Sequence, residues 1–210
     1  MKNQYLTLCL VTQINQSLES YKNFLMQVLK GGVTSVQLRI KGQKLMDFHD
    51  FAREIKILLQ AFKVPLIIND DVEFAREIDA DGVHLGQSDR LPLDARELLG
   101  PKKIIGWSIE TMEQLHLANE LSCINYVAAS AVFPSRTKTD CKTIWGIEGL
   151  KNIVEFSRHP VVAIGGINFQ NVKEVMRTGV DGVAVVSALH DAEDPKKTTE
   201  KFIEEINNEI

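Results

Sequence analysis

Val161-Val162-Ala163-Ile164-Gly165-Gly166-Ile167-Asn168 is the stretch from which the fold is read. Its first four residues are apolar and three of them are β-branched, which reads as a strand buried on both faces. Two glycines follow at once. The polar run Asn168-Phe169-Gln170-Asn171 is then expected to open an amphipathic helix through about Thr178. A buried strand thus ends in bare backbone aimed at a helix start, where peptide N–H groups can close around an anion. A second corner of this kind follows in Asp181-Gly182-Val183-Ala184-Val185-Val186-Ser187-Ala188. Gly165-Gly166 alone reads equally well as a tight turn without a ligand. Two such corners, late in an alternating chain, suggest the phosphate site after strands 7 and 8 of a (β/α)8 barrel.

Upstream, strand and helix signals alternate from the start. Strands are expected at Tyr5–Val11, Val33–Leu38, Pro65–Ile68, Gly82–Leu85, Ile104–Trp107 and Tyr126–Ala129. Helices are expected at Ser17–Lys30, Met46–Phe62, Val72–Ile78, Pro92–Gly100, Thr111–Leu121 and Gly146–Phe156, with a last one from about Pro195 to Ile206. Ser17 and Asp71 have the side chains of N-caps, and Gly31-Gly32 those of a helix stop. Eight strands and eight helices in strict alternation imply a parallel sheet with helices outside, closed into a single-domain α/β (β/α)8 TIM barrel over residues 1–210. A doubly wound open sheet needs fewer strands or a reversal point, and the pattern offers neither. The long irregular segment Ser130–Trp145 has the length of a functional lid.

Composition narrows the class. The chain is 44% hydrophobic and 25% charged, so it is read as globular. A net charge of −4 argues against a nucleic-acid partner. No apolar run reaches membrane-spanning length, so no membrane partner is expected. The N-terminus lacks a signal-peptide plan, and Cys9, Cys123 and Cys141 lack metal-ligand spacing; a reducing cytoplasm is the expected location.

In such a barrel the side chains just past each strand's C-terminal end face one mouth. Those positions hold Gln37, Arg39 and Lys41 after strand 2, Asn69 and Asp70 after strand 3, and Gln87, Ser88 and Asp89 after strand 4. Ser108 follows strand 5. Ser135, Arg136, Thr137 and Lys138 lie in the loop after strand 6, and Gly165, Gly166, Val186 and Ser187 at strands 7 and 8. Two bare carboxylates ~4 Å apart repel by about 4 kcal/mol at an effective dielectric near ~20. A polyphosphate would add to that, so a divalent cation is expected between them. Mg²⁺ suits one or two carboxylates completed by phosphates and water. Arg39, Lys41 and Lys138 would hold the remaining phosphate oxygens. Two small phosphorylated substrates in one mouth suit a joining reaction with diphosphate as leaving group.

Each residue also has a structural reading. Arg39 and Lys41 fit solvated surface charge. Asp89 fits the turn before Pro92. His84 fits a hydrogen-bonded pocket wall more readily than a catalyst. Ser108 fits a helix cap, and Trp107 and Trp145 fit packing. His190, on a helix or loop, suggests nothing.

The chain resembles the thiamine phosphate synthase family over nearly its whole length. The resemblance is carried by Val36-Gln37-Leu38-Arg39-Ile40-Lys41, Ile67-Ile68-Asn69-Asp70-Asp71, Asp81-Gly82-Val83-His84-Leu85-Gly86-Gln87-Ser88-Asp89, Phe133-Pro134-Ser135-Arg136-Thr137-Lys138, Gly146-Ile147-Glu148-Gly149-Leu150 and Val162-Ala163-Ile164-Gly165-Gly166-Ile167. It implies coupling of a hydroxymethylpyrimidine diphosphate to a hydroxyethylthiazole phosphate. Diphosphate leaves first, and the thiazole nitrogen attacks the methylene cation that remains. It further implies Gln37, Leu38, Arg39, Ile40, Lys41, Asn69, Ser108 and Lys138 as pyrimidine diphosphate contacts, with Arg39, Lys41 and Lys138 in catalysis. Asp70 and Asp89 would be the Mg²⁺ ligands. Ser135, Arg136, Thr137, Gly166, Val186 and Ser187 would meet the thiazole phosphate. Ile40 stands where the family usually has Glu, and Ser135-Arg136 replaces a commoner Thr-Pro pair. Trp107 and Ile109 flank Ser108 in place of smaller or polar residues. A thiazole tautomerase on the same barrel, and a non-catalytic sensor of phosphate ligands, are the competing readings. A homodimer is compatible with the fold, but the pattern locates no interface.

Overall fold

The computed structural model describes residues 4–39, 48–136 and 141–209. Eight strands form a closed parallel barrel in sequence order. They are β1 (Leu8–Val11), β2 (Ser35–Leu38), β3 (Leu66–Asn69), β4 (Gly82–Leu85), β5 (Ile104–Ile109), β6 (Tyr126–Ser130), β7 (Val161–Ile164) and β8 (Gly182–Val185). β8 returns to pair with β1, with Cys9 opposite Ala184, which closes the cylinder.

Around it run α1 (Leu18–Gly31), α2 (Phe48–Phe62), α3 (Val72–Glu77), α4 (Pro92–Leu99), α5 (Met112–Asn119), α6 (Gly146–Phe156), α7 (Val172–Met176), α8 (Ser187–His190) and α9 (Pro195–Asn207). Local chemistry sets their ends. Ser17 caps α1, and Gly32 stops it in the left-handed region at φ 109°. The Asp71 carboxylate accepts from Phe74 N at 2.8 Å to open α3. Among the described residues no helix is long and apolar enough to cross a membrane.

Why the strands look uniformly apolar is clear from the two layers they separate. Val36, Leu38, Ile68, Val83, Leu85, Trp107, Val127 and Val185 point outward into the helix layer. Cys9, Val11, Tyr126, Ala128, Val162 and Ala184 fill the barrel interior. Trp107 and Trp145 are the packing residues expected of them. Burial pushes the Cys9 thiol up to about 11, leaving it protonated and inert at neutral pH.

Two expectations need correction. Nine α-helices are described rather than eight, because four-residue α8 is too short to show an apolar period in the sequence. The run Asn168–Asn171 does not open α7, which starts at Val172. Asn168 Oδ1 accepts from Gln170 N at 2.9 Å, and Asn171 Oδ1 accepts from Asn168 N at 2.9 Å. These side chains satisfy a turn in place of a helix.

Candidate active site

The side chains and peptide groups facing inward at the C-terminal ends of the strands enclose one cavity at the mouth. Gln37 and Arg39 reach it from β2, Asn69 from β3, His84 from β4, Ser135 from the loop after β6, and Gly166, Val186 and Ser187 from β7 and β8. The period of two along an extended strand puts Gln37 and Arg39 on the same inner face. Leu38, between them, is fully buried in the outer layer. Its side chain is therefore turned away from the mouth, and the expected contact could come only from its backbone.

Arg39 is held by a residue that sequence reasoning missed. Its N–H donates to Thr12 Oγ1 at 2.9 Å, and the same hydroxyl donates to Arg39 O at 3.3 Å. Thr12 is almost fully buried just past β1, a strand from which no candidate had been drawn.

Asp70 and Asp89 lie at the same rim, on the loops after neighbouring strands β3 and β4. Asp70 N donates to His84 O at 2.8 Å. Asp70 also has φ 71°, a left-handed conformation that Asp tolerates better than most residues. Asp89 Oδ2 accepts from Gly86 N at 2.6 Å, so the turn-forming role considered for it is real. The bond engages one of its two carboxylate oxygens.

Ser108 does not cap a helix. It sits within β5, and Thr111 caps α5 through a capping box with Gln114. Ser108 Oγ lies 2.8 Å from His84 Nε2, while His84 Nδ1 is 2.9 Å from the Tyr126 hydroxyl. Burial holds Tyr126 well above the ordinary tyrosine range, so its phenol stays neutral. Gln87 Nε2 donates to Ser108 O at 2.6 Å and fixes the strand end. His84 is thus a hydrogen-bonded wall residue that orients Ser108. Gly106 makes room for this arrangement: a Cβ there would lie 2.2 Å from the Tyr126 ring.

Ser135, Arg136, Gly166 and Ser187, read as one group from the sequence, meet at a shallower depression beside the mouth. Lys41, Ile40, Thr137 and Lys138 lie outside the described residues. Gly165 and Gly166 have φ of 102° and 65°. The space above them belongs to the loop after β6: a Cβ on Gly165 would come within 2.5 Å of Ala131 Cβ, and one on Gly166 within 2.7 Å of Phe133 Cβ. On their Cα side the glycines therefore admit that loop, while Gly165 and Gly166 still line the mouth.

The donor set also bears on the metal. No group of three or more His, Cys, Asp or Glu side chains among the described residues could hold an ion. Two carboxylates on the loops after adjacent strands, Asp70 and Asp89, are the kind of donors a Mg²⁺ ion takes when phosphate and water complete its shell.

Known proteins are close in sequence and in fold. The family model described as thiamine monophosphate synthase matches residues 8–189. A thiamine-phosphate synthase from Vibrio campbellii is 49% identical over 93% of this chain and 96% of its own. One from Chlamydia abortus is 40% identical over 97% of this chain and 96% of its own. The solved structure of a thiamine phosphate pyrophosphorylase from Pyrococcus furiosus superposes with a TM-score of 0.87 at 36% identity, covering 100% of this chain and 98% of that one. A 3-hexulose-6-phosphate synthase from Salmonella typhimurium, at 17% identity and a TM-score of 0.73, shares the fold alone. With most of its length matched by the family model, and with that barrel and mouth, the chain belongs to the thiamine monophosphate synthase family.

Proposed function

We propose that this enzyme is a thiamine-phosphate synthase that joins a hydroxymethylpyrimidine diphosphate to a hydroxyethylthiazole phosphate, giving thiamine phosphate and diphosphate. The observation that carries this reading is that Arg39 and Asn69, from the diphosphate set, line one cavity with Gly166, Val186 and Ser187, from the second phosphate set. Both substrates can then be held with their reacting atoms in one enclosed mouth.

Gln37, Asn69 and Ser108 orient the pyrimidine, and Arg39 and Lys41 meet the diphosphate. Asp70 and Asp89 are the residues that would hold Mg²⁺, which supplies charge neutralisation to the departing diphosphate. The methylene C–O bond breaks with both electrons leaving on diphosphate. The lone pair of the thiazole nitrogen then forms the new C–N bond. No side chain acts as nucleophile. What the protein supplies is stabilisation of the leaving charge and exclusion of water from the cation. Ser135, Arg136 and Thr137 serve the thiazole phosphate, and Lys138, the next residue in the sequence, serves the departing diphosphate. Lys138→Ala is accordingly expected to lower kcat at least tenfold while changing the KM for thiazole phosphate less than threefold, since charge on diphosphate builds mainly in the transition state. An unchanged kcat would remove Lys138 from the chemistry.

The direct assay incubates the protein with both substrates and Mg²⁺ and follows thiamine phosphate and diphosphate together. Equimolar release of the two is expected. No product with both substrates present, alongside conversion of a thiazole phosphate precursor in the absence of the pyrimidine, would establish the tautomerase instead.

A further inference from the structure

We propose that His190 is a positioning residue for the second phosphate corner, holding Val186–Ser187 in place from the loop after β1. The proposal rests on the functional reading above.

His190 ends α8 and sits half-buried against Phe24 and Tyr21 of α1, with ring centroids 4.7 and 6.1 Å away. Its Nδ1 is 2.8 Å from Val186 O. A carbonyl only accepts, so Nδ1 carries the proton. Its Nε2 is then the acceptor, and it receives Gln13 N–H at 3.1 Å, with the Tyr21 hydroxyl 3.2 Å away. One tautomer satisfies every partner. An imidazolium would turn a second N–H against the Gln13 donor, and burial likewise favours the neutral ring.

The consequence lies at Val186, whose φ −117° and ψ −86° fit neither helix nor strand. Leu189 N and His190 N also donate to its carbonyl, at 3.3 and 3.2 Å, so the imidazole bond is the shortest of the three. In a planar trans peptide the C=O and the following N–H point in opposite directions. Fixing Val186 O toward His190 therefore fixes where Ser187 N–H points. Val186 and Ser187 both line the mouth. The other end of the brace is equally placed: Gln13 follows Thr12, whose hydroxyl brackets the Arg39 backbone. Two consecutive residues of one loop thus hold the cationic side of the mouth and its phosphate corner in register.

The test uses the full chain with His190→Leu, His190→Gln and His190→Asn, reading KM for each substrate and the preference for thiazole phosphate over the unphosphorylated thiazole alcohol. Leu removes both hydrogen bonds and is expected to raise the thiazole phosphate KM about tenfold and shrink the phosphate preference by the same factor. The KM for pyrimidine diphosphate should stay within twofold. Gln keeps a partner for Gln13 but loses Val186, so it should behave like Leu and keeps the proposal falsifiable if the Leu variant fails to fold. Asn can place an amide N–H near the position of Nδ1 and should stay within threefold of wild type. An unchanged KM in both Leu and Gln variants, equal rises for both substrates, or no rescue by Asn would overturn the proposal. A wild type indifferent to the thiazole's phosphate would overturn the functional reading itself, and the proposal with it.

Discussion

Asp89→Asn is expected to raise the Mg²⁺ concentration for half-maximal activity about a hundredfold while leaving the melting temperature within about 2 °C of wild type. The amide is chosen because the carboxylate has two tasks. Its Oδ2 braces the β4–α4 turn through Gly86 N at 2.6 Å, and an Asn carbonyl oxygen can accept that bond just as well. Alanine would remove the brace and the charge together and confound them. With Asn, the loss falls on the electrostatics. A unit negative charge ~4 Å from a divalent ion is worth about 8 kcal/mol gross at an effective dielectric of ~20. Water and the remaining ligands offset most of that, and a net loss of about 2.8 kcal/mol is a hundredfold. A metal titration that overlays the wild-type curve would take Asp89 out of the site. A large fall in melting temperature with an unaltered titration would assign it wholly to the turn.

Asp70 reaches the same rim by a different route. Among the described residues Lys63, Asp70 and Asp79 are the non-glycine residues with positive φ, and Lys63 and Asp79 follow the ends of α2 and α3. Asp70 alone of the three follows the C-terminal end of a barrel strand. Its left-handed backbone is fixed by the bond from its N–H to His84 O. A backbone conformation of this cost is retained where the surroundings over-determine it, as at a ligand site.

The barrel was legible because its code is local. The strands are mostly apolar, and Ser17 and Asp71 announce their helices by caps made within three residues. The inner face was legible too, since Gln37 and Arg39 are separated by one outward residue, Leu38. What stayed hidden depends on contacts far apart in the chain. His190 looked uninformative because its meaning comes from Gln13, 177 positions away, and from Tyr21, 169 away. Thr12 meets Arg39 across 27 positions. Ser108 could be read as a cap because nothing near it in sequence shows that His84 faces it across the barrel wall. The sequence also offered two rival reasons for Gly165-Gly166, a free turn or an anion corner, and the structure supplies a third.

That third reason yields the largest expected effect on stability. Gly165→Ala should lower the melting temperature by roughly 4–24 °C. Two costs add. At φ 102° an L-residue is strained by about 1–3 kcal/mol. The new Cβ would also lie 2.5 Å from Ala131 Cβ and 2.9 Å from Ala131 Cα. That neighbour is backbone and cannot swing aside, because Val132 N and Phe133 N donate to Ile164 O and Gly165 O at 2.9 and 3.0 Å. Relieving such an overlap costs about 1–3 kcal/mol more. For a chain of this length each kcal/mol moves the midpoint by about 2–4 °C. Gly146→Ala separates the two costs: its φ is 60°, and among the described residues no heavy atom beyond its own chain neighbours and helix backbone lies within 4 Å of the added Cβ. It should show the dihedral cost alone, a fall of roughly 2–12 °C. The loop displaced in Gly165→Ala leads to Ser135 and Arg136, so its remaining activity below the transition should also show a raised KM for thiazole phosphate. Equal falls in the two variants would mean that the β6 loop yields freely. In that case the glycine pair is kept for its backbone angles, and its packing against Ala131 does not constrain the mouth.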